Sequence, residues 1–214
     1  MSPPRPQAVT IDGPAGSLQL IVEDPGVQDQ PAAFMVVCHP HPQHGGTMDN
    51  KVVTTLARCA NELNAPSIRF NFRGVGNSAG TFDEGSGESL DALAVIEYGR
   101  RRWPTAALWL GGFSFGGRVA LRASTEPASG SLARLVTVAP AFTQYYASPA
   151  EVRIPDCPWQ IVQGDADEVV DAGQVAEWAG RLHPAPQLVM LPGVGHFFHG
   201  NLNALRAAVV PFLQ

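Results

Sequence analysis

The chain has 214 residues, 45% hydrophobic and 15% charged, with a formal net charge of −5, a balance that fits one globular domain over residues 1–214 and excludes a disordered chain. Acidic charge without a basic cluster gives no reason to expect nucleic acid or a membrane as partner, and no apolar stretch nears the roughly 20 residues that span a bilayer. A proline-rich start without an apolar signal core, and three cysteines at irregular spacing, point to a cytoplasmic protein with reduced thiols and about eight flexible residues at its beginning.

In chain order, Val9–Ile11 and Leu18–Val22 read as short edge strands joined across a Gly/Pro-rich turn. Phe34–Cys38 is continuously apolar, as a parallel strand covered on both faces must be. Val52, Val53, Leu56, Ala57, Ala60 and Leu63 recur at helical spacing, with Thr47 or Asp49 as the cap and Asn64-Ala-Pro66 as the stop. Ser67–Phe72 reads as a strand. Ser89–Arg102 reads as a helix with acids near its positive end and three arginines near its negative end. Strands follow at Ala107–Gly111, Leu135–Ala139, Trp159–Val162 and Leu188–Leu191. Helices are expected at Gly116–Ser124, Asp171–Leu182 and Asn201–Phe212. Such alternation predicts an α/β fold, a doubly wound, mostly parallel sheet with helices on both faces. Ligands are expected beyond the carboxyl ends of its strands. There is no sequence repeat, and nothing in the pattern speaks to oligomeric state.

The segment Leu108-Trp-Leu-Gly-Gly-Phe-Ser114-Phe-Gly-Gly-Arg-Val-Ala120 carries the chemistry. A buried strand runs into Gly-x-Ser-x-Gly and then a helix, which is a nucleophile elbow: a sharp turn lifts the serine hydroxyl above the sheet. Gly112 and Gly116 are required where side chains would strike neighbouring backbone, and Gly117 lets the helix approach the sheet. Gly76-Asn-Ser78-Ala-Gly80 fits the same pattern, but a loop composition follows it, so Ser78 is read as a loop residue.

An elbow predicts an acid and then a histidine further along the chain. Asp167, in the loop after a strand, is preferred to Asp165, Glu168 and Asp171, which suit turn and cap roles. His196 leaves the last strand through a Gly-rich turn and suits the base, whereas His199 suits a cap or rim and His183 a helix end. An oxyanion hole needs two backbone N–H groups. Phe115, directly after the serine, supplies one. In His39-Pro-His-Pro-Gln-His-Gly-Gly46 the prolines have no N–H, which leaves His41 as the second. The histidines at 39, 41 and 44 could also chelate zinc, but no acid or cysteine stands beside them, so no metal or other cofactor is expected. His39 is read as a hydrogen-bonded structural residue.

Together with the elbow, four segments resemble a small, lidless bacterial branch of the α/β hydrolases. They are His39-Pro-His-Pro-Gln-His-Gly-Gly-Thr-Met-Asp-Asn-Lys-Val52, Arg69-Phe-Asn-Phe-Arg-Gly-Val-Gly-Asn-Ser78, Gly164-Asp-Ala-Asp-Glu-Val-Val170 and Gly195-His196. The resemblance implies a serine hydrolase with no cap domain, because Pro140–Asp156 is too short to hold one. Met48, Phe113, Tyr145 and Phe197 are candidates to line an apolar acyl site, and Lys51, Arg69 and Arg73 to hold an anionic group. A carboxylesterase for small, short-acyl esters is the expected activity. A peptidase or amidase, or a thioesterase, would use the same triad. A non-catalytic binding or scaffold protein could keep the fold.

Overall fold

The computed structural model describes residues 6–26 and 30–214. Eight strands form one sheet: β1 (Pro6–Gly13), β2 (Gly16–Glu23), β3 (Ala33–Cys38), β4 (Ser67–Phe70), β5 (Ala107–Phe113), β6 (Leu132–Val138), β7 (Trp159–Gly164) and β8 (Gln187–Leu191). Their spatial order is β1-β2-β4-β3-β5-β6-β7-β8. The first two pairings, β1 with β2 and β2 with β4, are antiparallel; all the others are parallel. Residues 6–8, expected to be flexible, instead pair with Glu23, Val22 and Ile21. The rest of that expectation falls on residues 1–5, outside the described residues.

Five helices cover the sheet: α1 (Lys51–Glu62), α2 (Ser86–Arg102), α3 (Phe115–Ser124), α4 (Ala172–Arg181) and α5 (Leu202–Leu213). The apolar run of β3 explains why both faces need cover. Phe34, Val36 and Cys38 pack into the layer beneath α2, α3 and α4, while Ala33, Met35 and Val37 pack into the layer beneath α1 and α5. Successive strand residues point to opposite faces, so a strand buried on both sides has no polar position. None of the helices among the described residues is long and apolar enough to cross a membrane.

Several boundaries differ from the sequence expectation. The cap of α1 is Asn50, whose Oδ1 accepts the Val52 N–H at 2.9 Å. Asp49 instead holds Arg69 at 3.0 Å. Asparagine caps as well as aspartate, so the local choice fell to whichever side chain was left. α2 begins a turn early because Glu88 reaches back to accept the Gly85 N–H at 2.7 Å, one half of a capping box, with Gly85 at φ 94°. β4 stops at Phe70 rather than Phe72, since the Phe72 N–H goes to the His39 ring at 3.1 Å. Ser78 is a buried staple: its Oγ donates to the Asn71 carbonyl (2.7 Å) and accepts the Gln19 N–H (3.0 Å).

His39 is fully buried at the end of β3. Nε2 accepts from Phe72, so the ring proton sits on Nδ1 and is donated to the Pro40 carbonyl at 2.6 Å. Burial pushes its pKa down from 6.5 to about 4. The unfolded chain therefore binds more protons than the folded one between those values, and stability present above pH 6.5 is lost as pH falls toward 4. We expect a loss of roughly 2 kcal/mol between about pH 7.5 and about pH 5 in urea unfolding. A His39→Gln variant, though less stable, should lack that part of the slope; an identical slope would assign the acid sensitivity elsewhere.

Candidate active site

The four loops that leave β3, β5, β7 and β8 at their carboxyl ends carry the residues singled out by sequence. Ser114 lies between β5 and α3 with φ 55° and ψ −119°, a conformation L-residues rarely hold. It is fixed by its N–H to the Val138 carbonyl (2.9 Å) and by its own carbonyl, which accepts the N–H of Gly117 at 2.9 Å and of Arg118 at 3.3 Å. A Cβ on Gly112 would run into the Gly116 carbonyl, and one on Gly116 into the carbonyls of Cys38 and His39. Those glycines let β5, α3 and the loop after β3 converge on the serine.

His196 is held from both sides. Its Nε2 is 3.1 Å from the Ser114 Oγ, and its Nδ1 is 2.9 Å from the Asp167 Oδ2. The Phe113 ring lies under the imidazole at 5.1 Å, and Phe197 meets it edge-on at 5.1 Å. With the Nδ1 proton donated to Asp167, the Nε2 lone pair faces the serine hydroxyl and can receive its proton. Burial raises the Asp167 carboxyl, but hydrogen bonds from His196, Val170 and Val169 outweigh it and hold the pKa below the usual carboxylate value. Gln163 Nε2 adds a donor at 2.9 Å.

The rejected acids position the loops. Asp165 Oδ1 accepts the Gly193 N–H (2.6 Å) and Glu168 Oε2 the His196 N–H (3.1 Å), tying the β7 loop to the β8 loop. Asp171 caps α4 through the Gln174 N–H at 2.8 Å. His199 precedes α5, whose cap is Asn201, and its ring stacks on Phe197 at 5.8 Å.

Phe115 opens α3, so its N–H has no partner within the helix and stands at the helix's positive end. The loop after β3 lies against it, with the His41 ring 5.0 Å from the Phe115 ring. Among the described residues neither the His41 nor the Phe115 N–H donates a hydrogen bond. The Phe115 N–H directly follows Ser114, and an unpaired donor in that position suits an oxyanion. His41 also stacks on His44 at 4.4 Å.

Two of the candidate acyl-lining residues are corrected. Phe113 is fully buried beneath His196, and Met48 is 3% exposed, its N–H bound by Asn71 and its carbonyl by Arg69. Phe113 supports the imidazole from the end of β5, whereas Met48 is held in the loop before α1 by those two backbone hydrogen bonds. Tyr145 is half-buried against Phe115, with ring centroids 6.0 Å apart, and Phe197 is 48% exposed at the rim. Arg69 is taken by Glu23 and Asp49, and Arg73 by Asp91 at 2.8 Å, so neither is available to an anion, and Lys51 lies exposed on α1. Sequence reasoning missed Arg118, whose guanidinium lies 4.1 Å over the Tyr145 ring, though its place one turn after the serine was visible. Between β6 and β7 the chain makes only the short 3-10 turns Phe142–Gln144 and Pro149–Glu151, so no cap covers the serine.

Residues 29–154 match the family described as serine aminopeptidase, S33. An uncharacterized protein, RP471, from Rickettsia prowazekii is 30% identical over 189 residues, covering 85% of this chain and 79% of its own. XC6422 from Xanthomonas campestris, an α/β serine hydrolase without a lid, is 44% identical with a TM-score of 0.87, over 98% of this chain and 94% of its own. An α/β serine hydrolase homologue from Coxiella burnetii is 40% identical with a TM-score of 0.89, over 97% of each chain.

Proposed function

The chain belongs to the serine aminopeptidase S33 family and, like XC6422, is an α/β serine hydrolase without a lid, and from that premise we propose that it is a carboxylesterase for small, short-acyl esters. The observation that carries this reading is the unbroken hydrogen-bonded chain from Ser114 Oγ through His196 to Asp167. Ser114 attacks the ester carbonyl as His196 takes its proton. The Phe115 and His41 N–H groups receive the developing oxyanion, and the ion-paired imidazolium is stabilised by Asp167. Collapse breaks the bond to the alcohol, which leaves with the proton from His196. Water then attacks the acyl carbon as His196 takes its proton, and His196 returns that proton to Ser114 Oγ as the bond to the acid breaks.

Short acyl groups are favoured because the site is uncovered, with Phe197 the exposed apolar surface beside His196. A long chain would find little more to bury, and each additional methylene contributes about 0.8 kcal/mol only where it leaves water. Hydrolysis of p-nitrophenyl esters from acetate to palmitate should therefore peak at the short end. A maximum at long chains would overturn the short-acyl reading. The family description also favours a second reading, cleavage of an N-terminal residue from a peptide. Aminoacyl p-nitroanilides, with their poorer leaving group, test it in the same assay.

A further inference from the structure

Away from the serine hydroxyl, one cleft gathers positive charge that the proposed reaction leaves idle. It has a volume of about 250 Å³, and its lining includes Arg118, Arg122 and Arg153 with Tyr146, Glu126 and Glu151. The chain is acidic overall, and two arginines nearer the sheet are neutralised at close range, Arg69 by Glu23 and Asp49 and Arg73 by Asp91. Among the described residues, none of the three cleft arginines has a carboxylate within 4.0 Å. Arg118 Nη1 donates to the Glu84 carbonyl at 2.8 Å and Arg122 Nη1 to Ser86 Oγ at 3.1 Å. Since each guanidinium has five N–H donors, most remain for another acceptor. Glu151 lines the same space, but its Oε2 is turned to the Ala147 N–H at 3.2 Å.

The cleft is joined to the site by α3. The Arg118 N–H reaches the Ser114 carbonyl, so Arg118 stands one turn, about 6 Å, along the helix from the serine, and Arg122 one turn further. Arg118 stacks on Tyr145, whose ring meets Phe115. We propose that this cleft is an anion subsite of the active site, and that it receives a carboxylate or phosphate at the end of the substrate remote from the scissile carbonyl. Guanidinium forks suit such planar or tetrahedral oxyanions, which they grip through paired N–H donors. The inference rests on the hydrolase reading above.

The test compares mono-p-nitrophenyl adipate and suberate with the neutral hexanoate and octanoate, in wild type and an Arg122→Gln/Arg153→Gln variant whose folding is checked by circular dichroism. The anionic-to-neutral ratio of kcat/KM should favour the anionic esters in wild type and fall about tenfold in the variant, the loss expected for a charge-assisted contact. Calorimetric titration with adipate and with inorganic phosphate reads the same cleft without turnover. Saturable binding weakened about tenfold in the variant supports the subsite, and whichever anion binds tells a carboxylate from a phosphate. An unchanged ratio, or no saturable binding of either anion, overturns it. If wild type hydrolyses no ester while an anion binds through these arginines, the carboxylesterase reading falls and the anion subsite stands.

Discussion

Replacing Ser114 by alanine is expected to lower kcat on a short p-nitrophenyl ester by about 10⁴- to 10⁶-fold with the fold intact. The hydroxyl is the atom that His196 Nε2 faces at 3.1 Å, and nothing else in that direction can attack. Residual turnover would come from the Phe115 and His41 donors and from binding alone. Alanine, however, keeps the backbone strain, because it too has a Cβ at φ 55° and ψ −119°. Glycine removes it. Ser114→Gly should thus be as inactive as Ser114→Ala yet more stable by about 1 kcal/mol, after allowing for the extra freedom of glycine in the unfolded chain. Urea unfolding of the two variants decides the point: a glycine variant no more stable than alanine would mean that the elbow stores no usable strain. Activity left within tenfold of wild type would displace Ser114 as the nucleophile.

Asp167→Asn is expected to lower kcat by about 10⁴-fold while changing KM little. The reason lies in which oxygen the new amide nitrogen can replace. Oδ1 accepts the N–H groups of Val169 (2.9 Å) and Val170 (2.7 Å), so the asparagine must keep its oxygen there. Its NH2 is then forced toward Gln163 Nε2, itself a donor, and toward His196 Nδ1. The imidazole answers by accepting at Nδ1, which moves its proton to Nε2 and leaves no lone pair for the Ser114 hydroxyl. Activity should recover partly as rising pH ionises the serine without the base. An asparagine variant with near-wild-type kcat at neutral pH would show that Asp167 does not set the tautomer.

Local features of the chain were legible where a few neighbouring residues settle the matter. The run Phe34–Cys38 has no polar position, so it had to be a strand covered on both faces. Gly112, Ser114 and Gly116 specify a turn that tolerates no side chain at the flanking positions, whatever surrounds it. The elbow motif carried the chain order serine, acid, histidine, and parallel strands bring the three loops together because they deliver their carboxyl ends to one edge of the sheet. Periodicity also placed the helices to within a turn, and missed the start of α2 because Gly85 and Glu88 build a cap from a segment that reads as loop.

Other features depended on partners far away in the chain. Ser114 meets His196 across 82 positions and Asp167 meets His196 across 29. Asp165, Glu168 and Gln163 received their positioning roles from loops whose approach is set by the pairing of β7 with β8. Met48 and Phe113 look like surface for an acyl chain in sequence, but a side chain's face is fixed by what packs on it, and both turned inward. Arg118 and Arg122 share a helix face by spacing alone, whereas Arg153 joins them only because the turn before β7 folds back on α3. Steric and periodic preferences act within one helical turn or one strand and are written into adjacent residues. Which donors are left unpaired, and which charges converge, is decided only when distant segments close on one another.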